Sequence, residues 1–400
     1  MRDVVIASYV RSAQSRCRPK DPDRDWLFKI RGDDLLARLL PEAIRRAGAE
    51  PGEIDDFIMG CAQAVGENFT FGGRGPHLLA NLDKRTSCKQ IDEQCGSTMA
   101  ALQMGFMEIA QGFADTVLIG GVEHMGRLGM GGDGKIELNL RLFTEPSLLH
   151  WDFFTAMNMG LTAEKLADMG YAREDMDAWG ARSHQLAHKA QQEGFFDEEI
   201  MPLDIPQADG SVKTIATDQS VRADATVEDM ARLKPVFKKG GTIHPGNSSP
   251  LNAGACALVL MDRATAEAKG VTPLARIVSM GFAGVEPNIM GTGPVPSSKR
   301  ALEAAGLEAS DIDFWEINEA FAVVALYAIK ELGIDPDKVN VKGGGVAIGH
   351  PLGATGGRLV GTLARILQSE GGRYGCATMC VGAGQGVAMI IENEAMRSPQ

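Results

Sequence analysis

Cys95 stands in Ile91-Asp-Glu-Gln-Cys95-Gly96-Ser97-Thr98-Met99-Ala100, just ahead of a helical pattern. Met99, Leu102, Phe106 and Ile109 recur at helical spacing with small residues between them, which predicts a buried helix. A cysteine at the first turn of such a helix meets unpaired N–H groups and the positive end of the dipole. Both favour the thiolate, which is the nucleophile. An inert buried thiol is the plainer alternative. His350, in Gly349-His350-Pro351-Leu-Gly353, has the type needed to accept a proton from that thiol. Its plainer alternative is a turn histidine. Cys380 precedes Val-Gly382-Ala-Gly384-Gln-Gly386, where spaced glycines after a strand can turn backbone N–H groups toward an anion. No acidic residue on a second strand about 20 residues further on completes a dinucleotide fingerprint. A cysteine followed by bare amides, Gly382 among them, suits an oxyanion hole better. Asn318, in Trp315-Glu-Ile-Asn318-Glu-Ala-Phe-Ala322, is a neutral donor that can polarise a carbonyl directly or through water, or simply cap a loop.

An internal repeat predicts the elements that must bring these residues together. Ala43-Ile-Arg-Arg-Ala47-Gly48-Ala-Glu50-Pro-Gly-Glu-Ile54 resembles Ala301-Leu-Glu-Ala-Ala305-Gly306-Leu-Glu308-Ala-Ser-Asp-Ile312 at a constant offset of 258. Each copy reads as a helix stopped by glycine, then a turn and a strand. The same offset carries Cys95 to position 353, beside His350, so two similar halves would present the cysteine and the histidine from nearly equivalent places. Strands ending in glycine follow each time, at Thr116–Gly121 and Cys376–Gly382. The stretch between the halves, about 126–246, is richer in charge and loop residues. Its longest helical pattern runs from Leu161 to Gly194 with a break near Gly170, and it reads as an inserted loop domain. The expectation is an α/β protein of two layered halves.

Composition narrows the function classes. The 400 residues are 44% hydrophobic and 23% charged, as in a globular protein with large cores. A formal net charge of −12 without a basic run argues against nonspecific nucleic-acid binding. No apolar stretch is long enough for a transmembrane helix, and the first ten residues read as a strand rather than a signal peptide. Seven scattered cysteines suit reduced cytoplasmic thiols. Cys376 and Cys380 lack a histidine at ligand spacing, so no metal is expected.

Over nearly its whole length the sequence resembles the thiolases. The motifs that carry the resemblance are Asp92-Glu-Gln-Cys95-Gly-Ser97, Gly120-Gly-Val-Glu123-His-Met-Gly126, Asn318-Glu-Ala-Phe-Ala322, Gly349-His-Pro-Leu-Gly353 and Cys380-Val-Gly-Ala-Gly-Gln-Gly386. The second motif and Ala377-Thr-Met-Cys380 look closest to the fatty-acid β-oxidation branch. The resemblance implies two βαβαβαββ halves in a five-layer α/β/α/β/α arrangement with an inserted loop domain. The boundaries it suggests are 1–122 with 247–270, then 123–246, then 271–395. It implies thiolysis of a 3-ketoacyl-CoA to acetyl-CoA and a shortened acyl-CoA. Cys95 would carry the acyl group, His350 and Asn318 serve the nucleophile and its oxyanion, Cys380 act as acid and base, and the amides of Cys95 and Gly382 hold the thioester oxygen. Coenzyme A enters as a substrate, with no tightly bound cofactor. Matching positions put Arg222 near its nucleotide, Ser249 near the pantetheine, and Met159, Phe237 and Phe321 as apolar walls. Arg222 is equally well read as a solvated surface arginine.

The resemblance further implies a homodimer or homotetramer, and it leaves open a hydratase–dehydrogenase partner of a β-oxidation complex. Condensation of two acetyl-CoA by the same residues is the first alternative. A decarboxylating ketoacyl synthase lacks the second cysteine, and a non-catalytic acyl-CoA or lipid-binding relative should have lost a catalytic residue. Two positions depart from the family pattern: Lys342 before the histidine motif, and Asp229 where a serine near the nucleotide is usual. Phe143, Trp151, Phe153 and Phe154 are expected either in the core of the loop domain or in a wall for a bulky acyl chain.

Overall fold

The computed structural model describes residues 1–207 and 209–397. The first half runs β1 (Val4–Arg11), β2 (Ser15–Arg16), α1 (Gly32–Arg46), β3 (Asp56–Gly60), α2 (Arg74–Leu79), β4 (Ser87–Ile91), α3 (Ser97–Ala110) and β5 (Thr116–His124). A middle stretch follows, with α4 (Arg141–Thr144), α5 (Phe153–Ala156), α6 (Met159–Ala167), α7 (Arg173–Gln192), β6 (Leu203–Pro206), β7 (Val212–Ile215) and α8 (Val227–Ala231). The chain then returns to the first half with β8 (Asn252–Asp262) and α9 (Arg263–Ala268). The second half is β9 (Ala275–Gly284), α10 (Pro294–Ala305), β10 (Phe314–Ile317), α11 (Ala322–Leu332), α12 (Leu352–Glu370), β11 (Tyr374–Val381) and β12 (Gln385–Asn393).

Among the described residues ten strands follow one path, β10-β11-β12-β9-β1-β8-β5-β3-β4, with β2 beside β8, and β6 and β7 pair apart from them as an antiparallel ribbon. The path crosses between halves where β1 meets β9 through only Val5↔Arg276 and Ile6↔Ala275. On either side the order is equivalent: β1, β8, β5, β3, β4 answers β9, β12, β11, β10 and a last bridge, Trp315↔Val339. In both halves the outer strands pair in parallel, β3 with β5 and β4, and β10 with β11 and the Trp315↔Val339 bridge, and the inner pairs are antiparallel. Helices α3 and α12 pack on one another, and α12 touches strands of both halves. Helix α1 covers the outer side of one half and α10 that of the other. The layer order α/β/α/β/α follows.

The repeat is visible atom by atom. Helix α1 ends at Arg46 with Ala47 as its cap, α10 ends at Ala305, and Gly48 and Gly306 both take positive φ. Capping boxes follow at Glu50/Glu53 and Glu308/Asp311, and β3 and β10 begin at 56 and 314. The 258 offset holds through β5 and β11, which begin at 116 and 374. One expected strand does not form. The counterpart of β4 shrinks to the Trp315↔Val339 bridge because Asn340 (φ 49°) turns the chain away. The Asn340 side chain takes over as the strand's partner: Oδ1 accepts from the Ile317 N–H (2.8 Å) and Nδ2 donates to the Ile317 carbonyl (2.9 Å). A side-chain amide thus satisfies a backbone edge that a fifth strand would otherwise cover.

Aromatic residues of the middle stretch depart from one expectation. Phe143 packs edge-on against Phe153 and Phe154, but Phe154 is 67% exposed and Trp151 is 38% exposed. They are not a buried loop-domain core. The segment 131–151 contains only short helical turns, so it has no apolar face large enough to enclose them.

Candidate active site

Two central helices meet at their N-terminal ends, and glycines permit it. A Cβ on Gly356 would lie 2.7 Å from the Met99 nitrogen, and one on Gly353 would lie 2.4 Å from the Val122 carbonyl oxygen. Thr98 Oγ1 donates to the Gly353 carbonyl across the contact. Cys95 therefore stands just before α3, in the 3-10 turn Gln94–Gly96, and His350 stands just before α12, each facing the same junction. The turn is sharp, with Gln94 at φ 48°.

Cys95 is 7% exposed. Burial pushes its thiol up to about 12, against the pull of the Gly382 N–H and of its own N–H, while Glu123 and Asp92 push further up. This corrects the expectation of a helix-stabilised thiolate. Desolvation of the charged form outweighs the amides and the helix end, and the resting group is the neutral thiol. The same two amides point at the sulfur, where an acyl oxygen would develop charge. Cys380, fully buried at the end of β11, is raised first by burial and next by Cys95, which puts the two sulfurs in one electrostatic neighbourhood.

His350 is held from three sides. Its N–H donates to Asn252 Oδ1 (2.9 Å), and Nδ1 lies 2.6 Å from Thr355 Oγ1. Thr355 donates its own proton to the Pro351 carbonyl (2.8 Å), so it must accept from Nδ1–H. That fixes the tautomer and leaves Nε2 with the basic lone pair. The Asn318 amide lies 3.3 Å from Nε2. Burial, with Arg358 second, lowers the imidazole to about 3, so it rests neutral. Among the described residues no hydrogen bond joins Cys95 Sγ to the His350 ring. Gly349 must be glycine: its φ is +126°, and a Cβ would meet Asn252 and Gln14 at 2.6 Å.

Two buried carboxylates position this machinery, and neither received a role from the sequence. Glu123 accepts from the N–H groups of Ala62 (2.9 Å) and Gly353 (3.1 Å) and from Asn68 (3.2 Å), tying the start of α12 to β5. Burial raises it to about 7. Glu319 accepts from Trp179 Nε1 (2.8 Å), Ser183 Oγ (2.6 Å), Asn340 Nδ2 (2.8 Å) and the Val346 N–H (3.1 Å). It clamps the loop that leads to His350. Both residues lie inside the quoted motifs, but only the fold reveals what they hold.

The residues expected to line a coenzyme fall into two places. Phe237 and Phe321 stack edge-on (6.2 Å, 81°), Gly160 leaves room for the Phe237 ring, and Met159 packs on the same cluster as Phe321. Ser249 joins them through its N–H and hydroxyl, both donating to the Ala320 carbonyl (3.0 and 3.2 Å). Arg222 is exposed, and the structure links it instead to His184 and Arg16. Arg16 is lowered by burial and then by Arg222, Arg18 and Arg24, which marks a local basic patch on an acidic protein. The sequence hid this patch because Arg222 lies about 200 residues from the others. Lys342 pairs with Glu370 (2.6 Å) and lies over the Phe195 ring, so its charge is engaged away from the thiols. Asp229 exchanges hydrogen bonds with Thr226 at the start of α8 (2.9 and 3.2 Å), a local cap.

Comparison with known proteins shows the family and the fold. Residues 22–264 match the thiolase N-terminal domain and residues 271–393 the thiolase C-terminal domain. The 3-ketoacyl-CoA thiolase of Marinobacter nauticus is 42% identical over 398 residues, covering 98% of either chain. That of Chromohalobacter salexigens is 40% identical over 397 residues with the same coverage. The crystal structure of the Bacillus anthracis acetyl-CoA acetyltransferase matches with a TM-score of 0.85 at 36% identity, covering 98% of this chain and 99% of that one.

Proposed function

The chain belongs to the thiolase family of acyltransferases, and from that premise we propose that it cleaves 3-ketoacyl-CoA with CoA, giving acetyl-CoA and an acyl-CoA shortened by that acetyl unit. The observation that carries the reading is the convergence on Cys95 of two backbone donors and the second thiol, Cys380. His350 Nε2 takes the Cys95 proton as the sulfur attacks the 3-keto carbon. Because thiol and imidazole both rest neutral, that transfer accompanies the attack. The alkoxide is held by the imidazolium and by Asn318 through a water. The C2–C3 bond breaks, its electron pair forms the acetyl-CoA enolate, and the Cys380 thiol protonates C2. The acyl group remains on Cys95, its oxygen facing the Cys95 and Gly382 amides. The Cys380 thiolate then takes the proton of an incoming CoA thiol, whose sulfur attacks the thioester. Cys95 leaves as thiolate and recovers its proton from His350. Covalent catalysis divides the C–C cleavage, and fixed dipoles meet each oxyanion.

CoA binding along the middle stretch is supported by the Met159, Ser249, Phe237 and Phe321 cluster for the pantetheine, and by the basic patch around Arg222 and Arg16 for phosphate. The same reading divides the chain into 1–122 with 247–270, 123–246 and 271–395. It carries a homodimer or homotetramer and leaves room for a hydratase–dehydrogenase partner. All seven cysteines are free, as in the reduced thiols of a cytoplasmic enzyme, which is the location we propose; among the described residues no helix is long and apolar enough to cross a membrane. Acetoacetyl-CoA synthesis is the second reading, favoured by the likeness to an acetyl-CoA acetyltransferase. It uses the same residues in reverse.

The test is thiolysis measured across 3-ketoacyl-CoA chain lengths, with acetyl-CoA condensation alongside. Efficient thiolysis of longer substrates supports the first reading, and activity confined to acetoacetyl-CoA and acetyl-CoA supports the second. Cys95→Ala should abolish both reactions and leave CoA binding measurable. Thiolysis surviving in that variant would falsify the assignment.

A further inference from the structure

A second cluster of reactive side chains lies outside this chemistry. Cys17, Asp25 and His124 are 6%, 3% and 0% exposed, and one donor atom of each lies within 4.8 Å of the other two. They come from the turn after β2, the connection to α1 and the last residue of β5.

Each side chain is held so that one donor stays unused. His124 Nε2 bonds the Leu27 carbonyl (3.0 Å), which makes that nitrogen the protonated one and leaves Nδ1 a bare lone pair. Nδ1 is buried and without a partner. Asp25 Oδ1 accepts from Ser15 Oγ and from the Leu27 N–H (3.0 Å), whereas Oδ2 is buried with no nitrogen or oxygen donor, and the carboxylate has only the Cys17 thiol left to face. The Gly126 N–H donates to Cys17 Sγ. A Cβ on Gly126 would stand 2.7 Å from Asp25 Oδ2 and 3.1 Å from Cys17 Sγ, so glycine keeps the space between the donors clear. Phe28 lies edge-on against the imidazole (6.5 Å) and shields it.

A bare imidazole nitrogen beside a carboxylate whose remaining donor is the weak S–H of Cys17 is unfavourable in an apolar interior. A divalent cation satisfies all three at once. From this geometry we infer that Cys17 Sγ, Asp25 Oδ2 and His124 Nδ1 bind a zinc ion. Thiolate, imidazole and carboxylate together are a zinc ligand set, and three protein ligands leave one position for water. Zinc bond lengths set donor separations of about 3.5 Å, so donors within 4.8 Å of one another close by about 1.3 Å at most. The Cys17 thiol proton is released to solvent as the Zn–S bond forms. The Leu27 carbonyl behind the imidazole and the Ser15 and Leu27 donors behind the carboxylate are the outer contacts that orient zinc ligands. The ion would pin residues 17–27 to the end of β5, next to Glu123 and the start of α12.

The experiment measures zinc in the full chain purified without chelator, then replaces it with cobalt. The expected result is one zinc per chain and a near-ultraviolet thiolate-to-cobalt band that persists in Cys95→Ala and Cys380→Ala. Cys17→Ser should abolish the band, and Asp25→Asn and His124→Gln should weaken zinc binding about 10–100-fold. Wild-type protein with neither stoichiometric zinc nor the band overturns the inference, and so does a band lost with Cys95 but kept in Cys17→Ser. If Cys17→Ser does not fold, thermal melting of the wild type decides. Chelator should lower the melting temperature and zinc restore it; an unchanged melt means the cluster is satisfied by water or by its own thiol proton, and the site is refuted.

Discussion

At the scale of single residues, the neutral Cys95–His350 pair makes a direct statement about pH. With its thiol raised to about 12, Cys95 is almost wholly protonated at neutral pH. The sign follows: raising pH increases the thiolate fraction without levelling near the ordinary cysteine value. Inactivation of the free enzyme by iodoacetamide should therefore climb about tenfold per pH unit from about pH 7 to about pH 10. A plateau below about pH 8 would show that a thiolate–imidazolium pair already exists in the empty site. Thr355 offers a second test, because it acts through His350 rather than on substrate. Thr355→Val removes the acceptor of Nδ1–H and frees the tautomer. Loss of a buried hydrogen-bond partner is worth about 1–3 kcal/mol, so kcat should fall roughly 5- to 150-fold. KM should hardly move, and Thr355→Ser should restore most of the rate. An equal loss in Thr355→Ser would reduce Thr355 to packing. The residues proposed to react could be named from the sequence because Cys95, Asn318, His350 and Cys380 each stand in a short motif. The protonation states were not, since they depend on burial that only the folded layers create.

At the scale of elements, the proposed chemistry requires α3 and α12 to approach closely. Gly356 sits on α12 against the Met99 nitrogen of α3, so even a methyl group collides with backbone. Gly356→Ala should push the helices apart, lowering stability by about 1–3 kcal/mol as overpacked cores do. It should also lower kcat, because Cys95 and His350 ride on the two helix starts. Gly284→Ala is the control: nothing lies within 4 Å of its Cβ and its φ is not positive. Denaturant melts and rates for both variants decide the matter; equal behaviour would mean that the contact relaxes freely. The 258 offset made the two helices readable as equivalents, and the capping boxes at Glu50 and Glu308 explain why the repeat was strongest there. The missing fifth strand was not readable. Its place is taken by the Asn340 side chain, and a side chain standing in for backbone leaves no period-two pattern in the sequence.

At the scale of the whole molecule, the middle stretch must keep its position relative to both halves, and a buried network centred on Arg11 ties it to them. From β1 its Nε donates to Glu199 (2.7 Å) and its Nη atoms donate to both Asp218 oxygens (2.8 and 2.9 Å). Glu199 also accepts from Thr362 on α12 (3.1 Å), so one buried network joins first half, middle stretch and second half. Its partners stand 188 and 207 residues from Arg11, which is why no local pattern in the sequence announces them. Arg11 is 1% exposed and the two carboxylate side chains 0%, so removing the guanidinium leaves two buried charges unopposed. Breaking a buried pair in this way costs about 3–5 kcal/mol. Arg11→Met should therefore lower unfolding stability by at least that range, since two carboxylates lose their partner. Arg11→Lys should recover only part of it, because an ammonium cannot match the forked contact to Asp218. Amide exchange should rise first around residues 195–220, where the carboxylates sit, before it rises in β1. If exchange instead rises uniformly through both halves, the middle stretch is held by its apolar contacts and Arg11 contributes only to global stability.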